Sequence, residues 1–218
     1  MSETRQSTMA DEQPGELSPT AQRILDIAER LCAERGLEAV SIRDIASEAR
    51  VSLSVIYHHF GSKAGLLKAI LHRRMADLDA LRGPLFAELA EQPVPDLEKL
   101  LYAIIAPLAL LRGRGEEGRI GVQFLSRVLL STLPEMQEEV EASVSGLKLL
   151  VDLAKRAVPH LERKEICWRL HFTFGIEHMT HGDYERLEIM SEGLCDGQAV
   201  DESIQRAIGF AKAAFLAP

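Results

Sequence analysis

Five residues of a short predicted helix have side chains that could bind another molecule through hydrogen bonds and apolar contacts. If Ile56 and Phe60, four residues apart, turn toward a core, the side chains left toward solvent are those of Leu53, Ser54, Val55, His58 and His59. Hydroxyl and imidazole groups can hydrogen-bond to base edges, and exposed apolar side chains suit contact with thymine methyl groups. This face predicts a helix that enters the major groove of DNA.

Catalytic and metal-binding patterns are weaker in comparison. The motifs GxSxG, HExxH and GxGxxG are absent, and the segment GRGEEGR lacks the spacing of a phosphate-binding loop, so we predict no enzyme. Cys167 and His171 are four residues apart, as are Glu177 and His181, with His178 nearby, which leaves a metal sensor as an alternative. Without a tighter cluster we predict neither a metal nor another cofactor.

Start signals in the sequence predict the helices that must position this face. Ser18 followed by Pro19 predicts a first helix that ends at Gly36, where we expect a left-handed cap. Ser41, with Asp44 three residues later, predicts a capping box for a short second helix. Ser52 and Ser62 predict the starts of the third and the fourth, longer helix. Two short helices after a longer one form a helix-turn-helix unit.

The rest of the chain has a helical period and no alternating strand pattern, so the predicted fold class is all-α. The predicted later helices are Asp96 to Leu111, Glu116 to Leu130, Pro134 to Ala157, Glu162 to Thr180 and Gln198 to Leu216. Breaks are expected at Gly83-Pro84, Pro93 to Pro95, Gly113 to Gly115, Leu133-Pro134 and Pro159. We predict a disordered tail (1–17), a helix-turn-helix domain with its linking fourth helix (18–82) and a helical effector-binding and dimerisation domain (83–218).

Charge is distributed unevenly along this acidic chain, whose net charge is −8. Residues 18–82 have ten basic and eight acidic residues, whereas residues 83–218 have fourteen basic and twenty-one acidic ones. Only the first domain is therefore expected to approach phosphate. No apolar run approaches the ~20 residues that span a bilayer, so no membrane partner is expected. Three cysteines without CxxC spacing indicate a reducing compartment, and we predict the cytoplasm.

Residues 18–71 resemble the N-terminal domain of the TetR family of bacterial regulators. The most specific stretch is IASEARVS, then YHHFGSKAGLL, with Val-Ser, Tyr, Phe and Ser-Lys at the family's spacing. The resemblance implies phosphate contacts from Ser41, Tyr57 and Lys63 and base contacts from Leu53 to Val55 and His58, and we add Arg43, Ser52 and His59 to the predicted DNA-binding residues. Lys63 also suits an anion physically, since it begins a helix.

Three positions depart from the family pattern. Arg50 replaces the usual glycine of the turn, so we expect a non-glycine residue at positive φ with some strain. Ser54 also stands where glycine is common, and Ala64 stands where an acid is common. These departures bear on base preference and on how closely the DNA backbone approaches.

For residues 83–218 the resemblance implies a dimer interface and a small-molecule pocket. We predict an interface at Trp168, Phe172, Gly175, Met179, Ile204, Ala207 and Ala211, whose small members allow close helix approach; packing only within the monomer is the alternative. We predict an effector pocket beside Pro107, with a cation that could orient an anionic group, formed by Ile104, Ile105, Leu108, Phe124, Arg127, Val128 and Phe172.

These inferences predict a homodimeric repressor that binds a palindromic operator, with half-sites about one DNA turn (~34 Å) apart. A small, largely apolar effector would tilt the fourth helix and release the DNA. The alternatives are an effector-independent DNA-binding, nucleoid-associated or adaptor protein, and a helical hairpin that binds no nucleic acid.

Overall fold

The computed structural model describes residues 17–143, 146–182 and 184–217, so the predicted tail before residue 17 lies outside it. Within this part the chain forms helices and no strand, which confirms the all-α prediction. The helices are α1 (Pro19–Arg35), α2 (Ile42–Ala49), α3 (Leu53–Phe60), α4 (Lys63–Glu91), α5 (Leu97–Arg112), α6 (Glu116–Leu129), α7 (Pro134–Ser143), α8 (Leu147–Ala157), α9 (Arg163–Gly182), α10 (Tyr184–Met190) and α11 (Val200–Leu216).

The helix starts follow the predicted capping residues. The Ser18 hydroxyl accepts a hydrogen bond from the Ala21 N–H at 3.2 Å, and the Ser62 hydroxyl accepts one from the Gly65 N–H at 2.9 Å. Each bond satisfies one of the N–H groups that the first turn of a helix leaves without a partner. Gly36 follows α1 with a φ of 92°, but its ψ of 153° lies outside the predicted left-handed helical region.

The predicted break at Gly83-Pro84 is wrong, because α4 continues through both residues to Glu91. Proline lacks an N–H and costs the helix one hydrogen bond. Apolar residues on both sides compensate by packing: Leu78 and Leu81 contact one core of the molecule, whereas Leu85 and Leu89 contact the other. Burial of this continuous apolar face outweighs the loss at one proline.

Two other boundaries differ from the prediction. The predicted helix from Pro134 to Ala157 is divided into α7 and α8, on either side of residues 144–145, which lie outside the described part. An additional short helix, α10, follows α9. The predicted breaks at Pro93 to Pro95, Gly113 to Gly115, Leu133-Pro134 and Pro159 all separate helices.

Two apolar clusters hold the described residues together. The N-terminal core joins α1–α4 to Leu108 and Leu111 of α5 and to the buried face of α6. The C-terminal core joins Leu89 of α4 to α5, α8, α9 and α11. Helix α4 thus belongs to both cores, and α6 packs directly against the domain that contains α2 and α3.

Candidate nucleic-acid interface

Helices α2 and α3 are short, and each fixes its orientation by burying one side. In α2 the residues Ile42, Ile45, Ala46 and Ala49 are buried, and in α3 Ile56 is fully buried. Val55 and Phe60 are half-buried and pack against the same N-terminal core. The expectation that Val55 points fully to solvent is therefore wrong, since its side chain helps to seat α3.

The turn between the two helices is held in the left-handed conformation at Arg50, with a φ of 53° and a ψ of 46°. The Val51 N–H donates to the Ala46 carbonyl at 3.0 Å, which closes the turn. Left-handed backbone costs a non-glycine residue roughly 1 kcal/mol. The positive φ that the sequence predicted at this position is confirmed.

Most of the predicted DNA-binding side chains are accessible to solvent in the structure. Leu53 and Tyr57 are large side chains of α3 that are 38% and 50% exposed, which is high for residues of their size. Lys63 is half-buried at the first position of α4. The other exposed members are Ser41, Arg43, Ser52, Ser54, His58 and His59. Together these residues form the α2–α3 surface.

The electrostatics of the α2–α3 surface suit an anion. Helix α3 contains no acidic residue, and within the described part of the chain neither Arg43 nor Lys63 has a carboxylate partner. The nearby Glu48 carboxylate is engaged by Arg30 at 2.8 Å, and Asp44 is occupied as a helix cap. Hydrogen bonds from the Ser41 hydroxyl and backbone N–H hold the pKa of the Asp44 carboxyl below its usual range.

Ser52 begins α3 but does not cap it in the predicted way. Its hydroxyl lies 2.8 Å from the Ser54 hydroxyl and makes no cap hydrogen bond to the backbone. The first turn of α3 therefore has no side-chain cap, although the Val55 N–H donates to the Ser52 carbonyl at 3.1 Å.

The residues predicted for the dimer interface fall into two groups. Trp168, Phe172, Gly175 and Met179 lie on the exposed face of α9, where Trp168 is 51% and Phe172 is 59% exposed. Ile204, Ala207 and Ala211 are instead buried in the C-terminal core of the same protomer. Their assignment is corrected: the large apolar side chains that α11 exposes are those of Phe210 and Leu216.

The predicted effector residues do not line one common space. Ile104 and Ile105 pack in the C-terminal core, whereas Leu108, Phe124 and Val128 pack in the N-terminal core. Arg127 is exposed and donates to the Ala33 carbonyl at 3.4 Å, and Phe172 faces solvent. The described residues do line an open cavity of about 140 Å³ between α4, α5 and α6, but its lining consists of other residues, among them Arg74, Asp77, Glu117 and Gly121.

No group of three metal-ligating side chains occurs among the described residues. Of the ligands considered for a metal sensor, Cys167 and His171 are exposed on α9, and the side chain of His181 lies outside the described part. Glu177 is half-buried on α9, where desolvation raises the pKa of its carboxyl to about 8, against a smaller lowering by Arg82.

A search of the described helices for a membrane-spanning segment finds none of sufficient length and apolar character.

Sequence reasoning missed an ionic cluster between α1 and α4. Glu29 of α1 is buried and bonded to the consecutive arginines Arg73 and Arg74 of α4. The only local signal was a glutamate beside the apolar stripe of α1, and an acidic residue at such a position is usually solvated. Its partners lie more than forty residues along the chain.

Comparison with known proteins agrees with this arrangement. Residues 24–70 match the model of the family described as "Bacterial regulatory proteins, tetR family", and residues 102–214 match "Tetracyclin repressor-like, C-terminal domain". The chain is 28% identical to the transcriptional repressor KstR2 of Mycolicibacterium smegmatis over 150 residues, which cover 69% of this chain and 70% of that protein.

A second relative and a solved structure extend over most of the chain. An HTH-type transcriptional repressor of Mycobacterium tuberculosis is 29% identical over 195 residues, covering 85% of this chain and 93% of that protein. The crystal structure of a TetR-like regulator from Rhodococcus sp. RHA1 is similar in fold, with a TM-score of 0.64 at 18% identity, covering 90% of this chain and 96% of that one.

Proposed function

This chain belongs to the TetR family of bacterial transcriptional regulators, and we propose that it is a repressor that binds a palindromic operator as a homodimer. The observation that carries this proposal is the α2–α3 surface, where exposed apolar and hydrogen-bonding side chains stand beside unpaired cations. Leu53, Ser54 and His58 would contact base edges, and Ser41, Tyr57 and Lys63 would contact phosphates.

The local charge supports contact with DNA despite the acidic chain. Arg43 and Lys63 lie at the starts of α2 and α4, and the acidic side chains around them already have partners. Most phosphate contacts contribute affinity without reading sequence, so these cations would set the register of α3 in the groove. Val55 would contact a base only through the part of its side chain that the N-terminal core does not cover.

The apolar face of α9 supports the homodimer. Trp168, Phe172 and Met179 are large apolar residues at helical spacing, and Phe210 of the adjacent α11 is 69% exposed. Exposed apolar residues at such spacing are typical of a helix face that packs against a partner. A two-fold dimer would present two copies of α3 to two half-sites.

Release by a small-molecule effector is the final part of the proposal. Ligand-responsive repression is typical of the family, and α5 contributes to both cores, with Ile104 and Ile105 in the C-terminal core and Leu108 in the N-terminal core. An effector would act only if it binds one arrangement of the domains more tightly than the other. The expected site of action is the cytoplasm, where operator DNA is found.

In-vitro selection tests the DNA-binding part directly. The full chain is used to select duplexes from a random library, in parallel with a Tyr57→Ala, Lys63→Ala double variant. We expect the wild-type chain to enrich an inverted repeat and the double variant to enrich none. Absence of any enriched duplex with the folded wild-type chain would exclude sequence-specific binding.

The small molecules that co-purify with the chain then test the effector. They are extracted, identified by mass spectrometry and added to the complex with the selected duplex. Release of DNA is the expected result, whereas unchanged binding with every extracted molecule would favour an effector-independent DNA-binding protein.

A further inference from the structure

A buried ionic cluster joins three helices where the DNA-binding domain meets the rest of the chain. The Arg74 guanidinium of α4 donates to the Glu29 carboxylate of α1 through Nε at 2.5 Å and through Nη2 at 2.7 Å. Arg73 adds a third bond to Glu29, from Nη2 at 2.6 Å. Only 2% of the Glu29 side chain and 9% of the Arg74 side chain are exposed. A bidentate pair of this kind fixes distance and angle together.

The other side of the Arg74 guanidinium faces α6. Its Nη1 donates to Asp77 of α4 at 3.0 Å, and its Nη1 and Nη2 both lie 3.4 Å from a carboxylate oxygen of Glu117. Glu117 is largely exposed, so this longer contact contributes little. Although burial lowers the pKa of the Arg74 guanidinium, its bonds to Glu29 raise it above the ordinary value, and the group stays charged.

Gly121 of α6 provides the space in which the guanidinium lies. A Cβ atom at this position would be 2.7 Å from Arg74 Nε, 3.0 Å from Cδ and 3.1 Å from Cζ. Glycine usually weakens a helix interior, so its presence here is explained by this close approach. Because Glu29 holds the guanidinium through two hydrogen bonds, a displacement of Arg74 away from α6 would strain its contact with α1.

We propose that Arg74 is a positioning residue that sets the orientation of the DNA-binding domain by clamping α1 through Glu29 while resting on Gly121 of α6. Arg74 touches no DNA and acts through the helices that it joins. The inference concerns the protomer itself, and its consequence for operator affinity rests on the proposed function.

The substitution Gly121→Ala tests this clamp without removing a charge. It pushes the guanidinium while raising helix propensity, so the chain is expected to fold. The matched control is Gly83→Ala in α4, where a Cβ would meet nothing within 4 Å. Thermal unfolding of both variants checks that each is folded.

Pulsed electron paramagnetic resonance measures the domain orientation. Spin labels are placed on α2 and α11 through Ser47→Cys and Gln205→Cys, with Cys167→Ser and Cys195→Ser removing the exposed natural thiols. Labelled chain is diluted with excess unlabelled chain, so that the distance within one protomer is read whatever the oligomeric state.

We expect Gly121→Ala to shift the mean distance between the two spin labels, or to widen the distribution of that distance, by about 2 Å. This is the size of helix displacements at packed interfaces. Operator affinity is expected to fall on the order of tenfold, a typical coupling between sites. The Gly83→Ala control should change neither. A Gly121→Ala distance equal to that of the control would overturn the proposal. If the wild-type chain selects no duplex, the proposed function fails, whereas the distance still tests the clamp.

Discussion

Trp168 and Phe172 stack one turn apart on the exposed face of α9, with ring centroids 5.7 Å apart and an interplanar angle of 24°. Both rings lie beyond the protomer's own core and are more than half exposed. Stacked aromatic rings in this position expose a large, rigid apolar area, which water disfavours and a second protomer would cover.

Phe172→Glu is expected to give a monomer, because the substitution places a charge on the apolar face of α9 that we propose as the dimer interface. Light scattering of the wild-type chain should give twice the chain mass of 24.1 kDa, and the variant should give that mass itself. Val94→Glu is the matched control, since Val94 is 69% exposed on the loop before α5. A dimeric Phe172→Glu variant would exclude this face as the interface.

Lys63→Gln is expected to weaken binding of the selected duplex and to lower the slope of log affinity against log salt concentration by about 1, the loss of one phosphate contact. Fluorescence anisotropy titrations at several salt concentrations measure both quantities. Lys164→Gln makes the same charge change on the exposed side of α9 and should leave the slope unchanged. Equal slopes for the Lys63 variant and the wild-type chain would contradict the phosphate contact.

Ser41→Ala is expected to lower the free energy of unfolding by about 1 kcal/mol, the usual loss for an N-cap. The Ser41 hydroxyl accepts from the Asp44 N–H at 3.2 Å, and the Asp44 carboxylate accepts from the Ser41 N–H at 2.8 Å. Urea unfolding measures the loss. Ser47→Ala, in the exposed middle of α2, should have little effect, and equal stability of the two variants would argue against the cap.

Glu177→Gln is expected to remove a pH dependence of stability. The carboxyl has a pKa of about 8 in the folded chain and the ordinary 4.5 when unfolded, so the folded state holds the extra proton between these values. Its stabilisation is complete below pH 4.5 and is lost as the pH rises through 8, with a slope of up to about 1.4 kcal/mol per pH unit.

Urea unfolding between pH 5 and pH 8 compares the wild-type chain, Glu177→Gln and the control Glu91→Gln, whose carboxylate is exposed at the end of α4. The wild-type chain and the control should lose stability as the pH rises, and Glu177→Gln should lose less. A common slope for all three proteins would mean that Glu177 ionises normally.

Local sequence signals predicted the parts of the fold that depend on neighbouring residues. Ser18, Ser41 and Ser62 cap the helices predicted from them, and Arg50 takes the predicted positive φ. Each of these features follows from hydrogen bonds or backbone sterics within a few residues. The helix break predicted at Gly83-Pro84 was wrong because the cost of a proline is visible in the local sequence, whereas the tertiary packing that outweighs this cost is not.

The parts that sequence could not supply depend on which elements meet. Helix α11 is apolar on two faces, so its sequence did not reveal that Ile204 and Ala211 face the core while Phe210 faces outward. Apolar residues of α5 and α6 gave no sign of whether they enclose a cavity or pack closely. The pairing of Glu29 with Arg74 joins distant segments, and only the folded chain shows it.

The central claim, that two copies of α3 read one operator, is tested most directly by a hydroxyl-radical footprint of the wild-type chain on its selected duplex. We expect two protected half-sites related by a two-fold axis, with centres about one helical turn (~34 Å) apart, and two chains bound per duplex. A single protected site with one chain bound, or uniform protection along the DNA, would contradict the claim.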